Sequence, residues 1–235
     1  MKRFFATLLA VLIVLSLTAC NPHTGQAEST DTHNHSHDHT PQEETTPPEV
    51  SVETNSPAQN ESVQLSKGNI KGNVYTSNFT GLTFTKPESF TYLSEAELAS
   101  KINVSTEELA DEIFPYTADR VPAVYDMWAT DKKSGISISV AYENMHITAA
   151  VALSTDQYME MLESAFENTK GTALVQKSTV DLSGKMYQKA IFTTETGDTQ
   201  TQSIYYIRAM GKFMNIVLVT APADTEIPNI EKLFS

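Results

Sequence analysis

The sequence predicts an α+β domain, with a largely antiparallel sheet and helices packed on it, carried behind a long polar segment. Three observations lead there. Strand-like runs outnumber helical ones, most links between them are short and bear glycine, and one strongly amphipathic helical stretch interrupts the series. Antiparallel neighbours can be joined by tight turns, whereas parallel neighbours need crossovers of a dozen residues or more. Mostly short links therefore mean a mostly antiparallel sheet, with the helices packed against it.

The elements follow in order. Gly68, Gly72 and the polar residues between them mark the start of the domain, taken as residues 72–235, a length that supports one hydrophobic core. Val74–Ser77 and Leu82–Thr85 read as short strands around Asn78-Phe79-Thr80-Gly81, and Lys86-Pro87 ends the second. Three helix starts then carry one signature, a capping box with a hydrophobic staple. They are Leu93-Ser94-Glu95-Ala96-Glu97-Leu98, Val104-Ser105-Thr106-Glu107-Glu108-Leu109 and Leu153-Ser154-Thr155-Asp156-Gln157-Tyr158. Pro115 is expected to stop the second helix soon after it begins. The third places Tyr158, Met161, Leu162, Ala165 and Phe166 on one face, with Gly171 placed to end it.

Ala123–Thr130 and Ile136–Tyr142 flank the loop Asp131–Gly135 and read as a hairpin. Four strands follow, Thr172–Leu182, Lys185–Glu195, Thr199–Met210 and Lys212–Thr220, separated at Ser183-Gly184, Gly197-Asp198 and Gly211. Phe213–Val219 is apolar on nearly both faces, as a central strand requires. Asp224–Phe234 is expected to close the chain as a short helix with Pro228 in its first turn.

Tyr75-Thr76-Ser77-Asn78, then Gly81-Leu82-Thr83-Phe84, then Pro87 and a helix, resembles the opening of the PsbP/Mog1-like domains; the late meander and Ile230-Glu231-Lys232-Leu233 suit that family too. The resemblance implies an α/β/α sandwich used for binding or scaffolding. The family has no shared catalytic motif, so no functional residue carries over. Cystatin-like and other small exported α+β domains stay open as alternatives.

The first residues set the compartment. Lys2 and Arg3 precede Phe4–Leu17, a nearly unbroken apolar run of 14 residues. A membrane-spanning helix needs about 20; this run has the length of a signal-peptide core. It ends in Leu17-Thr18-Ala19-Cys20, which resembles the lipobox of bacterial lipoproteins. That resemblance implies cleavage after residue 19, a diacylglyceryl group on Cys20, and attachment at the extracytoplasmic face of the cell membrane. Cys20 is the single cysteine, so no internal disulfide can form. Removing residues 1–19 leaves 14 basic against 29 acidic side chains, a net charge of −15, which argues against nucleic acid as a partner.

Residues 20–71 read as a disordered tether. From Asn21 to Ser66 there are eight acids, no lysine or arginine, and only Val50, Val52, Val63 and Leu65 as large apolar residues. Such a segment cannot bury enough apolar surface to offset its ordering entropy. As a flexible coil it spans roughly 40 Å. Within it His33, His35, His37 and His39 alternate, with His23 upstream. Neutral imidazoles bind zinc, nickel and copper. Alternate side chains of an extended strand are too far apart to share one ion. The chain must therefore bend, and a weak, exchangeable zinc or nickel site is expected rather than a required cofactor. The segment resembles the histidine-rich loops of bacterial zinc-uptake binding proteins; a polar linker that drifted toward histidine is the plainer alternative.

The domain offers little catalytic chemistry to a reader of the sequence. There is no Gly-x-Ser-x-Gly, Walker-type loop, Ser-x-x-Lys or His-Glu-x-x-His. His146 is expected to be structural. Glu107, Glu108, Asp111 and Glu112 read as a solvated helix face, Asp119-Arg120 as a loop ion pair, and Trp128, beside Asp126, as a core or sheet-face residue. Of the function readings, a lipid-anchored, non-catalytic domain that binds a protein or small molecule comes first. A metal-capture accessory working through the tether histidines comes second, and an extracytoplasmic hydrolase third. Ligand and oligomeric state are left open by the sequence.

Overall fold

Glycine turns and alternating side chains assemble most of the sheet from hairpins. The computed structural model of the chain describes residues 64–235. The expected signal peptide, Cys20 and the tether up to residue 63 lie outside the described residues. Three short strands, β1 (Asn69–Lys71), β2 (Val74–Thr76) and β3 (Thr83–Thr85), form a small antiparallel sheet in that order. β1 precedes the expected domain start at residue 72.

β4 (Thr91–Tyr92) leads into helix α1 (Glu95–Ile102), a 3₁₀ turn at Glu107–Leu109, and helix α2 (Phe114–Arg120). The hairpin β5 (Ala123–Asp131) and β6 (Ile136–Asn144) follows. A one-turn helix α3 (Met145–Thr148) and the helix α4 (Thr155–Glu167) come next. The meander β7 (Thr172–Leu182), β8 (Lys185–Thr196), β9 (Thr199–Met210) and β10 (Phe213–Pro222) completes the sheet. The seven strands run in the order β4-β5-β6-β10-β9-β8-β7, every pair antiparallel. The fold is α+β with a largely antiparallel sheet.

β10 is the central strand, and its alternation splits the core in two. Phe213, Val217 and Val219 point to the face that packs with Leu82, Phe84, Phe114 and Tyr142. Met214 and Ile216 point to the other face, beneath Tyr158, Met159, Leu162 and Phe166 of α4. Phe166 stacks on Phe192 with ring centroids 3.9 Å apart. The capping boxes of α1 and α4 form as expected, from Ser94 with Glu97 and Ser154 with Gln157. Met159, outside the stripe read from the sequence, is fully buried as well.

Three local expectations are corrected. Ser105 and Glu108 do exchange their capping contacts, at 2.9 and 3.4 Å, but around a 3₁₀ turn. Pro115 opens α2 instead of stopping a helix, because a proline in the first turn removes an amide that has no helical partner anyway. The expected helix over Asp224–Phe234 reduces to one 3₁₀ turn at Glu231–Leu233. Its last residues are held in extended form instead, Phe84 bridging Phe234 and Ser235 N–H donating to the Thr83 carbonyl at 2.9 Å.

Candidate functional site

A carboxylate between large apolar neighbours on a strand either faces water or must find donors inside. Asp126 of β5 does the second. The β5–β6 register shifts between Tyr125 and Met127, so Asp126 is the extra residue of a bulge. Bulges re-aim side chains, and here the carboxyl group ends fully enclosed. Its Oδ1 accepts the Gly68 N–H at 2.7 Å; its Oδ2 accepts the Tyr75 hydroxyl at 2.5 Å and the Tyr142 hydroxyl at 2.8 Å. Ser77 Oγ lies 3.0 Å from the Tyr142 hydroxyl. Burial pushes the Asp126 carboxyl above its ordinary range, opposed by hydrogen bonds from Tyr75, Gly68 and Tyr142. Burial, reinforced by Asp126, pushes Tyr75 and Tyr142 up in turn.

The backbone approaches this group so closely that residue 68 has to be glycine. A Cβ there would stand 2.3 Å from a Tyr75 ring carbon and 2.9 Å from Asp126 Oδ2. Next to it Lys67 pairs with Glu95, and with Asp111 at 3.8 Å. The cluster thus clamps the segment through which the chain enters the domain.

Glu143 of β6 is a second buried carboxylate, on the α4 side of the sheet. Its Oε2 accepts the Tyr158 hydroxyl at 2.5 Å, tying α4 to β6. Burial raises its proton affinity, and hydrogen bonds from Tyr158 and Thr148 oppose the rise. A third network joins Lys189, Glu231 and the Tyr206 hydroxyl at 2.7 and 3.0 Å.

Trp128 is buried, its ring 4.8 Å from that of Tyr125 and beneath the Lys101 ammonium at 4.0 Å. Burial holds Tyr125 up at about 12 and lowers Lys101. Beside Lys101, α1 borders an open, shallow groove of about 380 Å³ lined by Leu93, Ala96, Glu97, Ser100 and Lys101.

The residues singled out from sequence are not brought together. Cys20, His33, His35, His37 and His39 lie outside the described residues. His146 is exposed on α3, its N–H donating to Asn144 Oδ1 at 3.1 Å. Asp119 and Arg120 do not pair with each other: Asp119 meets Lys212 at 2.7 Å and Arg120 meets Glu108 at 3.1 Å. Neighbouring residues on a helix point apart, so each found a partner on another element. Among the described residues no group of three or more His, Cys, Asp or Glu is placed to hold a metal ion, and no helix is long and apolar enough to cross a membrane.

Sequence reasoning passed over both buried carboxylates. The signal for Asp126 was available, an acid between Tyr125 and Met127 in a strand apolar on both sides. No protein-family model matches the chain, and no curated protein matches it either.

Proposed function

We propose that this chain is a bacterial lipoprotein held at the extracytoplasmic face of the membrane by lipid on Cys20, displaying a non-catalytic binding or scaffold domain. The observation that carries the reading is Leu17-Thr18-Ala19-Cys20 closing the apolar run behind Lys2 and Arg3, with Cys20 the single cysteine. Two acyl chains suffice for stable attachment, at about 0.8 kcal/mol per buried methylene. The binding reading draws support from the way the domain uses its chemistry. Asp126 and Glu143, the carboxylates that burial perturbs, face tyrosine hydroxyls inside the core. The open groove along α1 suits a protein surface better than an enclosed small molecule. A PsbP/Mog1-like ancestry is part of the proposal; a central antiparallel sheet with α4 on one face, and α2 with the small sheet on the other, is compatible with it.

The test is lipid attachment. The wild-type protein should incorporate labelled fatty acid, carry lipid mass on Cys20 and partition into detergent. The Cys20→Ser variant should do none of these. Wild-type protein recovered free in the medium, with no lipid at its N-terminus, would end the reading. The second reading, metal capture through the tether, is favoured by one observation: the alternation of His33, His35, His37 and His39.

A further inference from the structure

We infer that the end of the domain built from α2 and the loop Met145–Leu153 docks onto the lipid surface to which the chain is anchored, an inference that rests on the Cys20 reading. Of the eight exposed large apolar side chains among the described residues, four lie at this end: Ile113 and Tyr116 at 41% and 65% exposure, Ile147 and Val151 at 42% and 55%. From Met145 to Leu153 the chain carries no Asp, Glu, Lys or Arg. The loop is fixed in place. Asn144 Nδ2 donates to the Ala118 carbonyl of α2 at 3.0 Å, and Met145 N–H to the Lys212 carbonyl at 2.9 Å.

The chain enters the domain beside the half of β5 nearer this end. Gly68 is clamped on Asp126, three residues beyond Ala123, and Ala123 is the register partner of Glu143 just before the loop. Lys67 pairs with Glu95 of α1 and reaches Asp111, two residues before Ile113, at 3.8 Å. Docking here draws on apolar contact rather than charge: Lys67–Asp111, Arg120–Glu108 and Lys212–Asp119 pair three acids of this end, and Glu107 and Glu112 stay exposed.

The length of the preceding chain selects the occupant. The 44 residues from Cys20 to Val63 have the composition of a coil spanning roughly 40 Å. Such a linker holds its cargo at an effective concentration on the order of millimolar. A surface with only millimolar affinity for lipid is then substantially docked, with Tyr116 suited to the interface as an amphipathic ring.

Since lipid occupies the only native thiol, Val151→Cys gives one free position for an environment-sensitive fluorophore in the lipidated full chain. Asp198→Cys, in the β8–β9 turn at the opposite end of the sheet, is the control. Both proteins are placed in phosphatidylcholine vesicles with and without nitroxide-bearing lipid, and flotation reads the anchor separately. The label at 151 should be quenched several-fold more than the label at 198. Adding Tyr116→Asp should reduce that difference without affecting flotation. Equal quenching of the two labels on protein that floats overturns the docking alone. Protein that does not float overturns the anchor reading and the docking with it.

Discussion

Removing the Asp126 carboxylate should destabilise the domain through the groups it leaves behind. In Asp126→Ala the Gly68 N–H and the Tyr75 hydroxyl lose the acceptors they now reach at 2.7 and 2.5 Å, while Tyr142 keeps Ser77 at 3.0 Å. Each buried polar group left unsatisfied costs about 1–3 kcal/mol. Two of them, less the relief of no longer burying the acid, give about 2–4 kcal/mol. Asp126→Asn should cost less than about 1 kcal/mol, because the amide oxygen still accepts from Gly68 and the amide nitrogen donates to hydroxyls that turn to accept. Urea unfolding of the chain reads both. The pH dependence follows from the direction of the shift. Burial raises the folded-state pKa of Asp126 above its unfolded value. The folded protein then binds more protons between the two, and stability falls as pH rises through that window. The gap between Asp126→Asn and wild type should therefore move in the variant's favour from about pH 4 toward neutrality, starting from the unfolded value. An Ala variant within about 0.5 kcal/mol of wild type, or an Asn variant as damaging as Ala, would refute the clamp.

Gly68→Ala should cost about 1–3 kcal/mol by overpacking against Tyr75, Asp126 and the Thr76 carbonyl; proteolysis should then show earlier cleavage near residue 68, and unchanged resistance would count against the close approach. Leu162→Ala should cost about 2–5 kcal/mol in the same unfolding assay, since Leu162 is buried between α4 and the sheet. Replacing His33, His35, His37 and His39 by serine should abolish zinc or nickel binding of micromolar or weaker affinity, and wild-type binding should fade as pH falls through about 6.5. Equal titration of the two proteins would remove the tether from metal chemistry.

The parts legible in the sequence are those where one local signal dominates. β7 to β10 could be placed because Gly184, Gly197 and Gly211 each take a positive φ at a turn, and period-2 runs fill the spaces between. α4 was legible from its Ser154/Gln157 box and its stripe. β4 has two residues, and β1 is three residues exposed throughout, so neither shows an apolar pattern and only pairing with a neighbour defines them. Pro115 and Pro228 show that proline near a helix end is ambiguous: it both begins and interrupts helices, and tertiary packing decides which.

The candidate site was hidden for a related reason. Alternation assigns residues to faces only while the phase is kept, and the bulge at Asp126 breaks it, turning an apparent surface acid into an enclosed one. Its partners come from Gly68, Tyr75 and Tyr142, on three segments spread over 75 residues of chain. No local pattern joins them. The same cluster holds the segment through which the chain enters the domain. Any pull on the preceding chain reaches the domain first through Lys67 and Gly68, and meets there a buried carboxyl group fixed by two tyrosines, one each from the small and the large sheet. The junction is therefore a firm part of the fold, and under the proposed lipid anchor it sets which part of the domain would lie toward the membrane.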